Sequence, residues 1–117
     1  MVKYQNIEFD RLLYAISDQT RRSILDDLYR GEKGVGELAE PFNMSLPGFL
    51  KHLNILKGTG LVITKKTGRR VTCNINPENL IRVATWLAKY QKTWEDRLRE
   101  LEANIKQNKL QSGQKDI

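Results

Sequence analysis

Residues 35–76 read VGELAEPFNMSLPGFLKHLNILKGTGLVITKKTGRRVTCNIN, and this stretch decides the fold. Ser45 offers an N-cap, and Pro47 sits in the first helical turn, where its missing N–H costs nothing. Phe49, Leu53 and Leu56 then recur at i, i+4, i+7, which predicts a helix running to about Lys57 with one apolar face. Gly58 and Gly60 end it. Upstream, Val35, Leu38 and Ala39 predict a short helix over 35–40, stopped by Pro41. Two helices joined by the turn Phe42-Asn43-Met44 form a helix-turn-helix pattern. Downstream, 61–67 and 70–76 read as two strands, with Leu61, Ile63, Val71, Cys73 and Ile75 expected inward. Thr67-Gly68 supplies the hairpin turn, and the tip KKTGRR carries four cations. A basic hairpin after a helix-turn-helix is a wing.

The flanks extend this frame. Phe9, Leu12, Leu13 and Ile16 predict a helix over 7–16. Ser17-Asp18 then signals the start of a second helix to about Arg30, with Ile24, Leu25, Leu28 and Tyr29 inward. Asn76 and Pro77 open a last helix, expected to reach about Gln107. Within it Leu80, Ala84, Leu87, Gln91, Trp94, Leu98, Leu101 and Ile105 are spaced alternately four and three apart, a heptad stripe. The fold class is therefore mainly α with a small β-hairpin, a winged helix-turn-helix of order α-α-α-α-β-β-α. One domain covers 1–107, and 108–117 is expected to be a polar, disordered tail.

Charge points to the partner. The 117-residue chain has net charge +6, and no Asp or Glu occurs between Pro41 and Pro77. Lys51, Lys57, Lys65, Lys66, Arg69 and Arg70 all fall in that window. Such a surface faces phosphates. With the apolar stripe of the fourth helix turned inward, Pro47, Lys51 and Asn54 point outward, with Gly48 flanking. Asn54 suits an adenine edge, and Lys51 a guanine or a phosphate. Lys65, Lys66, Arg69 and Arg70 suit the phosphates or minor groove. Of Arg21 and Arg22, one is expected near the phosphate backbone, with solvated helix surface or an ion pair to Asp18 as the competing role. The partner is double-stranded DNA.

The heptad stripe is too large for so small a domain to cover, so a second copy is the expected partner. Phe9, Leu12, Leu80, Leu87, Trp94, Leu98, Leu101 and Ile105 are its candidate interface residues, with Trp94 as central anchor. His52 and Cys73, each the sole residue of its type, do not form a metal site at any recognised spacing. His52 reads as a partly buried hydrogen-bonding residue beside DNA, and Cys73 as a small core residue. No nucleophile–base set, carboxylate pair in a plausible cleft, phosphate loop or dinucleotide fingerprint is present, so catalysis, metal and cofactor are not expected. No apolar run of membrane length and no secretory h-region occur, so a cytoplasmic, nucleoid-associated location without membrane contact is expected. The inducing signal leaves no mark in the sequence.

AISDQTRRSIL, VGELAEPFNMSLPGFLKHLNILKGTGLV, the KKTGRR wing and PENL with Trp86, Tyr90 and Trp94 together resemble the ArsR family of bacterial repressors, over residues 7–103. The resemblance implies a dimer joined through the first and last helices, a recognition helix at 46–57, and repression of an operator near its own gene. Ser45, Lys51 and His52 match the family's recognition segment. Two departures stand out. The third helix has Val35-Gly36-Glu37-Leu38 where metal-sensing members carry paired cysteines, and the last helix has no His. Metal sensing is therefore not carried over. Phe49 and Leu50 replace smaller residues, which implies an altered sequence preference. The alternative reading is a winged-helix module used for protein contact, with sequence-specific DNA binding reduced or lost.

Overall fold

A computed structural model describes the backbone of residues 7–116 and the side chains of residues 8–111. The elements are α1 (Ile7–Ile16), α2 (Gln19–Tyr29), β1 (Lys33–Gly34), α3 (Val35–Ala39), α4 (Leu46–Gly58), β2 (Val62–Thr67), β3 (Arg70–Ile75) and α5 (Pro77–Asp116). This is the winged helix-turn-helix order, with one addition. β1 has two residues, too few to show any periodicity, and it pairs antiparallel with β3 through Lys33–Cys73 and Gly34–Thr72. The sheet order is β1-β3-β2, so β3 is central. The chain divides into two compact units, one ending at Val83 and the other beginning at Ala84, and α5 supplies residues to both.

The first unit has one core. Leu12 and Ala15 of α1, Ile24, Leu25 and Leu28 of α2, Leu38 of α3, and Phe49, Leu53 and Leu56 of α4 are all buried. Leu61, Val62, Cys73 and Val83 complete it. Phe42 sets its ring 5.4 Å from that of Phe49, so the turn between α3 and α4 is held by the core as well. Burial pushes the Cys73 thiol up, while the charge of Lys57 acts in the opposite direction. Cys73 is a protonated core residue, not a reactive thiolate.

The end of α4 sets the start of the wing. The Gly60 N–H donates to Lys57 O at 3.0 Å and the Leu61 N–H to Leu56 O at 3.1 Å. Gly60 takes φ 79°, which closes a Schellman motif with Leu61 folded back on Leu56. A side chain at Gly60 would be strained at that φ, and its Cβ, 2.5 Å from Asn79 Nδ2, would displace the Asn79 amide. Asn79 donates to the carbonyls of Thr59 and Gly60, so the start of α5 is tied to the same motif.

Four expectations are corrected. Leu61 belongs to the Schellman motif and not to a strand, so the alternation begins one residue later: Val62 is buried and Ile63 is 50% exposed. Val71 is exposed because it pairs with Lys66, one step from the hairpin end and beyond the core. Tyr29 is 84% exposed, since Leu25 and Leu28 already fill the inward face and the next residue is rotated about 100° away. The helix expected to stop near Gln107 runs to Asp116 through the segment expected to be a disordered tail. Lys106, Lys109, Leu110 and Gln111 are good helix formers, and Lys106 pairs with Glu102 at 3.4 Å across one turn.

Phe49→Ala should cost about 3–5 kcal/mol of stability, because it empties a buried site. Tyr29→Ala should stay within about 0.5 kcal/mol of the parent protein. Denaturant unfolding of both variants checks the core assignment.

Candidate nucleic-acid interface

The Ser45 hydroxyl accepts the Gly48 N–H at 3.2 Å and caps α4, with Leu46 and Pro47 in the first turn. Burial of Phe49, Leu53 and Leu56 on one side leaves Ser45, Pro47, Lys51 and Asn54 exposed, with Gly48 and His52 at the edge. The outward set read from the sequence is thus present on one helix. It also has a member the sequence reading missed. Leu46 is exposed at the start of α4. An apolar side chain there suits a thymine methyl. Leu46 stands three residues before Phe49 and seven before Leu53, in line with the apolar stripe, so periodicity alone places it inward.

The wing is a two-stranded hairpin in register from Val62–Ile75 to Thr67–Arg70. Its two turn residues are Gly68 and Arg69, one position later than expected. Gly68 has φ 63°, and no residue other than glycine takes positive φ among those described. Only the first central residue is left-handed, which is the type II′ pattern. Lys65, Lys66 and Arg69 are exposed, and no ion pair engages them among the described residues.

Arg70 differs. Its Nη2 donates to Glu37 Oε1 at 2.9 Å, and the same oxygen accepts the Gly34 N–H at 3.3 Å. Glu37 therefore caps α3 and at the same time holds Arg70, the wing residue that follows the turn. The segment free of acids in the sequence is not free of them in space, because α3 returns a carboxylate to it. Arg70, expected at the phosphates with its three neighbours, is engaged within the protein. Both partners are more than half exposed, so the pair is a weak lock.

The start of α2 is built around two arginines with different fates. Arg22 is exposed and donates to Ile16 O at 2.9 Å, covering the end of α1. Arg21 is buried, with Nε donating to Ala15 O at 2.7 Å and Nη1 lying 3.1 Å from His52 Nδ1 on α4. Asp18 caps α2 by accepting the Arg21 N–H at 3.1 Å. That hydrogen bond lowers the Asp18 pKa below its ordinary 3.8, with His52 and Arg21 adding to the effect against some desolvation. Nothing in the sequence marks either Arg21 or Arg22 for burial.

Comparison with known proteins agrees with this geometry. A family described as a helix-turn-helix domain matches residues 16–64. The transcriptional repressor SdpR of Bacillus subtilis is 38% identical over 76 residues, which is 65% of this chain and 84% of that protein. A crystal structure of an ArsR family transcriptional regulator is 43% identical, with TM-score 0.68, covering 75% of this chain and 91% of its own. The chain belongs to the ArsR family of transcriptional regulators. It is a DNA-binding regulator and not an enzyme. A solution structure of a homodimeric winged helix-turn-helix DNA-binding domain from Mycobacterium bovis also matches, at 27% identity and TM-score 0.58, over 72% of this chain and 83% of its own.

Neutralising Lys66 and Arg69 together should weaken binding to any duplex and lower the slope of log affinity against log salt by about 2. Arg70→Ala should change that slope by well under 1. A slope that falls equally for Arg70→Ala would show that the Glu37 pair opens on DNA.

Proposed function

We propose that this ArsR-family protein is a homodimeric repressor that binds a palindromic operator through α4 and the wing. The observation that carries the reading is the pairing of an exposed Lys51–Asn54 face on a capped helix with a hairpin whose Lys65, Lys66 and Arg69 have no ion-pair partner among the described residues. The helix suits the major groove, and the hairpin cations suit flanking phosphates. A nucleoid-associated, cytoplasmic location follows from this role.

The second unit supports a dimer. Leu87, Trp94, Leu98, Leu101 and Ile105 of α5 are all exposed, Trp94 by 60%. The rings of Trp86, Tyr90 and Trp94 follow one another with centroids 5.4 and 6.4 Å apart, tilted by 56° and 60°. Trp86, Leu87, Tyr90, Gln91 and Trp94 line an apolar depression of about 330 Å³. Such a stripe is stable in water when a second copy covers it. Two interface candidates carry less weight. Leu12 is only 1% exposed, in the core of its own unit, and so cannot offer a surface. Phe9 and Leu80 are partly buried against that core and remain rim residues at most. Two-fold symmetry then sets two half-sites about 34–36 Å apart, one turn of DNA.

A protein-contact module is favoured by one observation: Met44 and Leu46 are exposed apolar residues at the start of α4. The wing cations with no ion-pair partner among the described residues argue for DNA.

Purified protein titrated against a labelled fragment from upstream of its own gene, with mixed-sequence competitor, distinguishes the two. Retardation that survives competitor and a two-fold symmetric footprint are expected. Binding that competitor abolishes would leave the protein-contact reading in place. Trp94→Ala should move the protein toward monomer on sizing by light scattering, and an intact dimer would remove Trp94 as the anchor.

A further inference from the structure

Arg21 has 5% of its surface exposed. A cation so buried is tolerated only when its donors are used. Nε donates to Ala15 O at 2.7 Å and Nη2 to Tyr14 O at 3.2 Å, both carbonyls in the last turn of α1. The guanidinium also lies 5.0 Å from the centre of the Tyr14 ring. The third nitrogen, Nη1, lies 3.1 Å from His52 Nδ1.

A guanidinium donates and never accepts. The contact is a hydrogen bond only if Nδ1 carries its lone pair, so the proton of the neutral ring must sit on Nε2. Asp18 Oδ2 lies 3.6 Å from the same Nδ1 and would favour the opposite arrangement. Arg21 is nearer, cannot release its proton, and already occupies that carboxylate with its N–H at 3.1 Å. Every buried side-chain nitrogen or oxygen among the described residues has a hydrogen-bond partner. No partner engages Nε2 among those residues, so Nε2 reaches solvent. On α4, His52 lies close to the line of Ser45 and Gly48, at the border of the outward face.

We propose that Arg21 is a positioning residue for DNA recognition, holding His52 so that its Nε2–H is a neutral donor to DNA. The proposal rests on α4 facing DNA. The acceptor chemistry is an oxygen, supplied either by a phosphate or by a base edge. The direction of the bond is set from the α1–α2 junction and not from α4 alone.

His52 is the sole histidine, so nitrogen-15 NMR of the labelled protein reads one imidazole. In free protein with the ring neutral, a single tautomer is expected, with Nε2 protonated and Nδ1 accepting. Arg21→Met should release the ring to a mixture of tautomers. A protonated Nδ1, or a mixture already present in the parent protein, would overturn the assignment without involving DNA.

Should Arg21→Met fail to fold, two variants of His52 decide. His52→Asn places an oxygen near the Nδ1 position and removes the outward donor. It should keep the parent melting temperature and weaken binding to the upstream duplex by about tenfold, as expected for a lost bond to a charged acceptor. His52→Gln carries an amide near the Nε2 position and should bind within a few-fold of the parent. An equal loss on a mixed-sequence duplex identifies a phosphate oxygen, and a loss confined to the upstream duplex identifies a base edge. His52→Asn binding both duplexes as tightly as the parent would end the donor role. Absence of any retardation by the parent protein would also end it, by removing the DNA-facing reading, while the NMR arm still settles the geometry of the pair.

Discussion

One-sided burial of α4 governs the remainder of the first unit. Phe49, Leu53 and Leu56 together remove three large side chains from water, a gain of several kcal/mol for that face. Once that face is fixed, the helix has no freedom to rotate. Lys51 and Asn54 must point outward, and His52 must stand at the border. Because the stripe ends at Leu56, where the Schellman motif closes, the first strand of the wing departs from a defined point. Recognition helix and wing thus take their placement from the same three residues, and α3 is held to them through Phe42 against Phe49.

This dependence explains what the sequence revealed and what it concealed. Periodic burial is legible, because a stripe at i, i+4, i+7 has one physical interpretation. α1, α2, α4 and the hairpin were therefore readable, with ends good to a residue or two. The failures fall where burial stops being periodic. Leu61 and Val62 are consecutive and both buried, since one closes a helix and the other opens a strand. Val71 has the residue type of a core strand but stands past the core's edge. β1 leaves no pattern at all in two residues.

Side-chain partnerships were the least legible. The exposed set on α4 and the wing cations follow from pattern and composition. That Glu37 reaches Arg70 depends on β1 pairing with β3, a contact between residues 33 positions apart. That Arg21 is buried while Arg22 is exposed depends on where the last carbonyls of α1 point. Both arginines satisfy the same local rule, and only the tertiary arrangement separates them.

The same arrangement sets limits on how the wing can act. An exposed ion pair is worth at most about 1 kcal/mol, so Glu37 does not immobilise Arg70. It does place a negative charge beside Arg70, one of the four cations at the end of the hairpin. The positive field of the wing consequently comes mainly from Lys65, Lys66 and Arg69. On α5 charge is arranged differently: Arg99 pairs with Glu95 and Asp96, Arg97 with Glu100 and Lys106 with Glu102, all on one helix. Such pairs neutralise the polar face of α5 locally and support a helix that its own unit does not bury. They leave the apolar stripe, not charge, as the feature of that helix suited to a partner.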